Sequence, residues 1–355
     1  MHTLIIGGGL SGLSLATQLH RDGHDFLLLE ARDRLGGRIL TQTVGKGYFD
    51  LGPGWFWPGQ PRIAALIAEL GLKKFDQHYE GILTFEDENG VQHGRGHASM
   101  QGSYRLEGGL GALIDGLANT IPADNMRLNA EVTTLEKTSS GITAKLTDGT
   151  SLNAQHVVLA LPPRVAAEMA FTPALPTPAL RSMTDIPTWM AGQAKAVAVY
   201  ETPFWRAQDL SGDAMSRVGP MVEIHDASPA DGRLGALFGF IGVPPEARQD
   251  ETALRSHVTA QLTRLFGPQA AHPKALFIKD WAADSKTATQ LDLAPMYAHP
   301  TYSLPSNLKD PWGGCLSFSG TEVAPQFGGF LEGALEAAEA SFKFLQHAYG
   351  SQAEV

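Results

Sequence analysis

Gly7, Gly9 and Gly12 stand in a G-x-G-x-x-G spacing, the arrangement that brings backbone amides up to a pyrophosphate. Gly7 permits the tight turn, Gly9 lets the backbone approach the anion, and Gly12 lets a helix pack closely on a strand; Ser11 adds a hydroxyl within the same turn. Glu30 follows at the distance expected of an acid that binds ribose hydroxyls. Just beyond it, Gly36 and Gly37 open the backbone and Arg38 offers a positive charge. Further along, Lys195 sits among Ala194, Ala196 and Val197 in a run suited to a buried strand, where an isolated ammonium is costly unless it serves a site.

The elements that must position these residues are legible around them. Thr3 to Ile6 reads as a strand, "LSLATQLHRDG" carries a helical apolar repeat, and "DFLLLE" reads as a second buried strand ending in Glu30. Strand, glycine turn, helix, strand and terminal acid together make a βαβ dinucleotide fingerprint. Neither a G-x-x-x-x-G-K-[ST] phosphate loop nor a G-x-S-x-G nucleophile elbow occurs, so NTPase and serine hydrolase readings lack support. Cys315 is the one cysteine among 355 residues, which excludes an internal disulfide and a CxxC pair; redox chemistry would need a bound cofactor. His93 and His97 read as loop residues, and no metal is expected.

With 43% hydrophobic and 18% charged residues the chain falls in the globular range, and its length leaves room for two domains. Lys plus Arg total 27 against 37 Asp plus Glu, a balance that argues against nucleic acid as a partner. Apolar runs such as "HVVLALPP" are shorter than the ~20 residues of a membrane span. The apolar start without a basic leader suits a cytoplasmic protein.

The run "LEARDRLGGR" resembles the flavin monoamine oxidase family of FAD-dependent amine oxidases, in a short, soluble, bacterial-type form. The resemblance implies FAD, with Arg32, Gly37 and Arg38 joining the turn residues around its ribose and pyrophosphate. "FDLGPGWFWPGQPRIAALIAELGL" is similar to the family's flavin loop and following helix, which implies Gly52, Pro53, Gly54 and Trp55 lining the ring and Trp57 beside the substrate. The resemblance gives Val132 backbone contact with the adenine. "GTEVAPQFGGFLEGALEAAEA" is similar to the closing segment of the site, which implies Glu322 near the ribityl or phosphate part, Phe330 facing the ring and Leu331 backbone at the pyrimidine side.

The same resemblance makes Lys195 the residue that holds a water at flavin N5, and so the catalytic candidate. Trp281 matches the family's Trp-containing strand, but counting from it puts Gln290 and Leu291 where a covalent cysteine and a cage tyrosine would fall. Phe330 stands in place of the other tyrosine. FAD is therefore expected to be noncovalent, with a pocket of Trp57, Trp281, Leu291 and Phe330 for a small-molecule substrate.

The expected fold is α/β: a discontinuous Rossmann-like FAD domain over residues 1–74, 101–162 and 309–355, with an inserted α+β substrate domain over 75–100 and 163–308. The first insertion is shorter than its family counterpart, and the chain turns toward the second at Pro162 and Pro163. Three readings stay open: oxidation of an amine or amino acid with peroxide release, flavin-linked dehydrogenation or desaturation of an apolar skeleton, and a non-oxidative flavin protein. Oligomeric state is not legible.

Overall fold

The structure, a computed structural model, describes residues 2–353 except 295 and 297, with side chains through Tyr349. At its centre is a five-stranded parallel sheet in the order Leu316–Phe318, His156–Leu159, Thr3–Ile6, Phe26–Leu29, Met126–Arg127. Thr3–Ile6 and His156–Leu159 are buried at every position, as parallel strands covered on both faces must be. One face carries the helices Leu10–Arg21 and Leu331–Ala353, whose Leu13, Leu335 and Ala338 join Ile5 and Leu28 in one core. The other face meets a four-stranded sheet in the order Ser151–Ala154, Gly141–Leu146, Val132–Thr138, Ala170–Thr172, filled by Leu4, Leu135, Ala144 and Val157. This is the expected α/β class with a Rossmann-like parallel sheet.

Strand pairing carries this unit past Pro163. Ala170–Thr172 pairs in parallel with Thr134–Glu136, and Leu175, Ala179 and Met183 join the same core. After an earlier visit at Ile82–Asp87 and Gly90–Gly94, the chain returns to a second sheet at Ala194–Tyr200. That sheet has seven strands in the order Ala275–Asp280, Ala194–Tyr200, Gly235–Ile241, Met221–Asp226, Leu210–Ser216, Ile82–Asp87, Gly90–Gly94. Side chains alternate across it. Ala194, Ala196, Ala198 and Tyr200 pack with Leu254, Val258 and Leu262 of the helix Glu251–Phe266. Val197 and Val199 face the other way, onto Phe49, Leu51 and Trp55. The segment Phe49 to Trp55 is thus packed on this face of the second sheet. Among the described residues no helix is long and apolar enough to cross a membrane.

Candidate functional site

The amino-terminal glycines build a tight cradle. Gly7 has φ +114, and a Cβ there would lie 2.4 Å from the Ala160 carbonyl oxygen; one on Gly12 would lie 2.0 Å from that of Gly7. Only glycine tolerates these contacts. Around Gly9, in contrast, a Cβ would meet nothing closer than 4.0 Å, so the backbone there faces open space. Gly9 begins the helix Leu10–Arg21 with no side-chain cap and no acid in the first turn, which leaves amide donors and the positive end of the dipole for an anion. Ser11 Oγ is turned to the carboxyl-terminal strand's end, donating to the Ser319 carbonyl and lying 3.0 Å from Ser319 Oγ.

Glu30 is buried at the end of its strand, accepting from the amides of Gly8 at 2.8 Å and Arg32 at 2.9 Å. Gly36 donates to Gly8 O at 2.8 Å, and Gly37, at φ +58, lies against Gly9. The second glycine pair therefore closes onto the first. Arg34 braces this turn by donating to Leu35 O, Gly37 O and Ile39 O at 3.0 to 3.2 Å. Arg32 reaches across to the second sheet's side, bonding Asp284 at 2.6 Å and Thr287 at 3.0 Å.

Arg38 Nη1 meets Glu322 Oε1 at 2.5 Å. Burial works against the guanidinium's charge, yet Glu322 outweighs it and raises the Arg38 pKa. Glu322 is fully buried, and its Oε2 has no hydrogen-bond partner among the described residues. A buried unpaired carboxylate oxygen is expensive unless a ligand group reaches it. The capless helix, the glycine cradle and this oxygen fit a dinucleotide laid from the first turn toward Glu322.

Two donors from the second sheet hold the flavin-type loop. Lys195 Nζ donates to Gly52 O at 2.6 Å, and Trp281 Nε1 donates to Leu51 O at 2.9 Å. A Cβ on Gly52 would be 1.9 Å from Arg38 O, so this position too must be glycine. Burial pushes the Lys195 ammonium down to about 8, with Asp50 acting in the opposite direction. Asp50 is itself driven up to about 6 by burial, against hydrogen bonds from Thr41 and the Leu110 amide and against the charges of Arg105 and Lys195. Trp55 packs its ring on Phe238 and His225 and donates Nε1 to Gln77 at 2.8 Å. Pro53 is half-buried, and Gly54 has open space where a side chain would be.

The expected pocket residues divide. Trp57 and Phe330 meet edge to face, 6.4 Å between centroids. Phe330 is 38% exposed and stacked at 4.9 Å on His299, which in turn touches Trp189. His299 and Trp189 were missed, because each lies in an irregular stretch with no periodicity to orient it. Trp281 is buried, with its indole used on Leu51. Leu291 lies on a short turn, 56% exposed, its carbonyl accepting from Arg164 at 3.0 Å. Val132 is buried in the four-stranded sheet, two residues after Ala130, whose amide donates to Glu30 O. Leu331 opens the last helix and is buried, with Phe330 O held by Thr321 Oγ1.

The sequence pattern of the family described as flavin containing amine oxidoreductase matches residues 10–103 and 91–341. A probable flavin-containing monoamine oxidase A of Dictyostelium discoideum is 24% identical over 94% of each chain. A putrescine oxidase solved with putrescine bound superposes with a TM-score of 0.81 at 21% identity, covering 98% of this chain and 99% of that one. Cyclohexylamine oxidase from Brevibacterium oxydans superposes with a TM-score of 0.77 at 21% identity, over 97% and 99%. With the family pattern spanning nearly the whole chain, this chain belongs to the flavin containing amine oxidoreductases.

Proposed function

We propose that the chain holds FAD noncovalently and oxidises a small amine or amino acid, with oxygen as the final acceptor and hydrogen peroxide as product. The observation that carries this reading is the buried Lys195 ammonium, seated on the Gly52 carbonyl inside the flavin-type loop. When bound, the flavin accepts hydride from the substrate carbon at N5 and passes the electrons to oxygen.

The amides after Gly9 hold the pyrophosphate, and Glu30 takes the ribose hydroxyls. With FAD bound, Arg38 and Glu322 would bracket its middle, the Val132 backbone would meet the adenine, and the Leu331 backbone would meet the pyrimidine side of the flavin ring. Gly52 to Trp55 line the ring. Lys195 positions a water beside the reacting centre, and its lowered pKa lets it hold or release a proton near neutral pH. Trp57 and Phe330, with His299 against Phe330, shape the space for a neutral amine, while Trp281 holds the loop through Leu51 O.

The place of the single cysteine supports the noncovalent reading. Cys315 is half-buried beside the edge strand Leu316–Phe318, its carbonyl accepting from the Val157 amide and its thiol near Gly313 O. Acid precipitation should therefore release all of the flavin into the supernatant. An anaerobic titration with amines and amino acids tests the activity: bleaching that reverses in air with peroxide supports it, whereas a flavin unmoved by the whole panel refutes it.

A further inference from the structure

Two neighbouring carbonyls of the flavin-type loop are held from the second sheet's side, Leu51 O by Trp281 Nε1 at 2.9 Å and Gly52 O by Lys195 Nζ at 2.6 Å. Behind these two donors stands a second lysine. Lys279 lies directly opposite Lys195 across the strands Ala275–Asp280 and Ala194–Tyr200, so both side chains project from one face. Like charges placed opposite one another weaken a strand pair, so the sheet itself gains nothing from Lys279. Its ammonium is instead bonded to Asp284 Oδ2 at 2.8 Å and sits 4.7 Å from the centre of the Trp281 ring. Among the described residues Asp284 is the one ion-pair partner of Lys279.

The other oxygen of Asp284 faces the cofactor cradle. Asp284 Oδ1 accepts from Arg32 Nη2 at 2.6 Å and from the Lys286 amide at 3.1 Å. Arg32 gives its own amide to Glu30 Oε1 at 2.9 Å, and its Nη1 lies 3.6 Å from the same oxygen. The Asp284 amide donates to Trp281 O at 3.1 Å, which fixes the carboxylate three residues beyond the indole. Contacts therefore run without a gap from Glu30 through Arg32, Asp284, Lys279 and Trp281 to Leu51 O. The Asp284 side chain is 11% exposed; burial works against its charge, yet Lys279 and Arg32 prevail and lower its pKa. Charge-assisted bonds shielded in this way are short, strong and directional, and the cation over the indole face adds to them.

We propose that Asp284 is a positioning residue for the flavin reaction: by gripping Arg32 and Lys279 together it ties the ring-lining loop to the ribose end of the cofactor site, so that a change at Arg32 is felt at Trp281. The kinetic consequence rests on the amine-oxidation reading, whereas the linkage is a property of the chain itself.

The test is a double-mutant cycle between Arg32→Gln and Lys279→Met, whose side chains share Asp284 as partner. It is read first by urea unfolding of the flavin-free full chain. The double variant should lower the unfolding midpoint no further than the more harmful single variant does, because either substitution alone already breaks the link. It is read again on FAD-saturated enzyme by the limiting rate of anaerobic flavin reduction with an amine. Each single variant should slow reduction about tenfold, and the second substitution should add less than about twofold. Asp284→Asn should cost the same tenfold in that rate while leaving KM for the amine near its wild-type value. Additive losses in the unfolding cycle, or a reduction rate that Asp284→Asn leaves unchanged, would overturn the proposal with amine oxidation still standing. If Asp284→Asn does not fold, the cycle decides without it. If no amine bleaches the flavin, the amine-oxidation reading falls, and the unfolding cycle still shows whether the linkage exists.

Discussion

Replacing Lys195 by Met should make the protein more stable and less active. The side chain is 5% exposed and its ammonium has one neutral acceptor, Gly52 O. Burial lowers its pKa from the ordinary 10.5 to about 8, so the folded state binds the proton less tightly than the unfolded state does. At pH 7 that difference costs about 3 kcal/mol of stability. Met fills similar volume without charge, while the Gly52 carbonyl left without its donor takes back about 1 kcal/mol. The net gain is about 2 kcal/mol, full below pH 8 and fading as the pH rises from 8 to 10.5, where the wild-type lysine is neutral in both states. Urea unfolding of flavin-stripped protein across that range measures it. Stopped-flow kinetics on the loaded enzyme should meanwhile show reduction or reoxidation slowed on the order of 100-fold. A variant that is less stable at pH 7, or that keeps both half-reactions at wild-type rates, refutes the reasoning.

Other outcomes follow from the same geometry. Gly52→Ala places a Cβ 1.9 Å from Arg38 O and should weaken flavin binding at least about tenfold, read from the visible absorbance retained after gel filtration. Glu332 is fully buried and accepts from the amides of Arg62 and Ile63 at 3.0 and 2.9 Å, at the start of the helix Pro61–Glu69; Glu332→Ala should cost about 3 kcal/mol in urea unfolding. Asp50 has its pKa raised from 3.8 to about 6, so its contribution to stability is full below 3.8 and lost as the pH rises through 6. The stability of wild type relative to Asp50→Asn should therefore fall by up to about 3 kcal/mol between pH 4 and 7, and a flat difference would show that burial does not dominate there.

What could be read from the sequence is what short-range geometry enforces. The turn glycines, Glu30 and the first two strands lie within one βαβ unit, where each residue's role follows from its neighbours in the chain. Lys195 was legible as buried because a strand alternates and both of its flanks are apolar. Arg34 was not, since a guanidinium that braces three carbonyls leaves no mark on hydrophobic periodicity. The three-residue strand Ala170–Thr172 is too short to show a period, and it keeps the chain with the first unit beyond Pro163. Leu291 was placed by counting across a loop from Trp281, and such a count carries no information about orientation. The link from Arg32 through Asp284 to Lys279 joins segments far apart in the chain and becomes visible only once they are folded together.

The pairing of Arg38 with Glu322 spans 284 residues of chain. Closing so long a loop is entropically unfavourable before any contact rewards it, so this half of the cradle forms late. On a ribosome, the glycine turn and its helix emerge well before the strand Leu316–Phe318, Ser319 and Glu322. A nascent or truncated chain can offer only half a grip on the cofactor. Retained flavin is therefore a report that two segments far apart in the chain, around Arg38 and Glu322, have found one another.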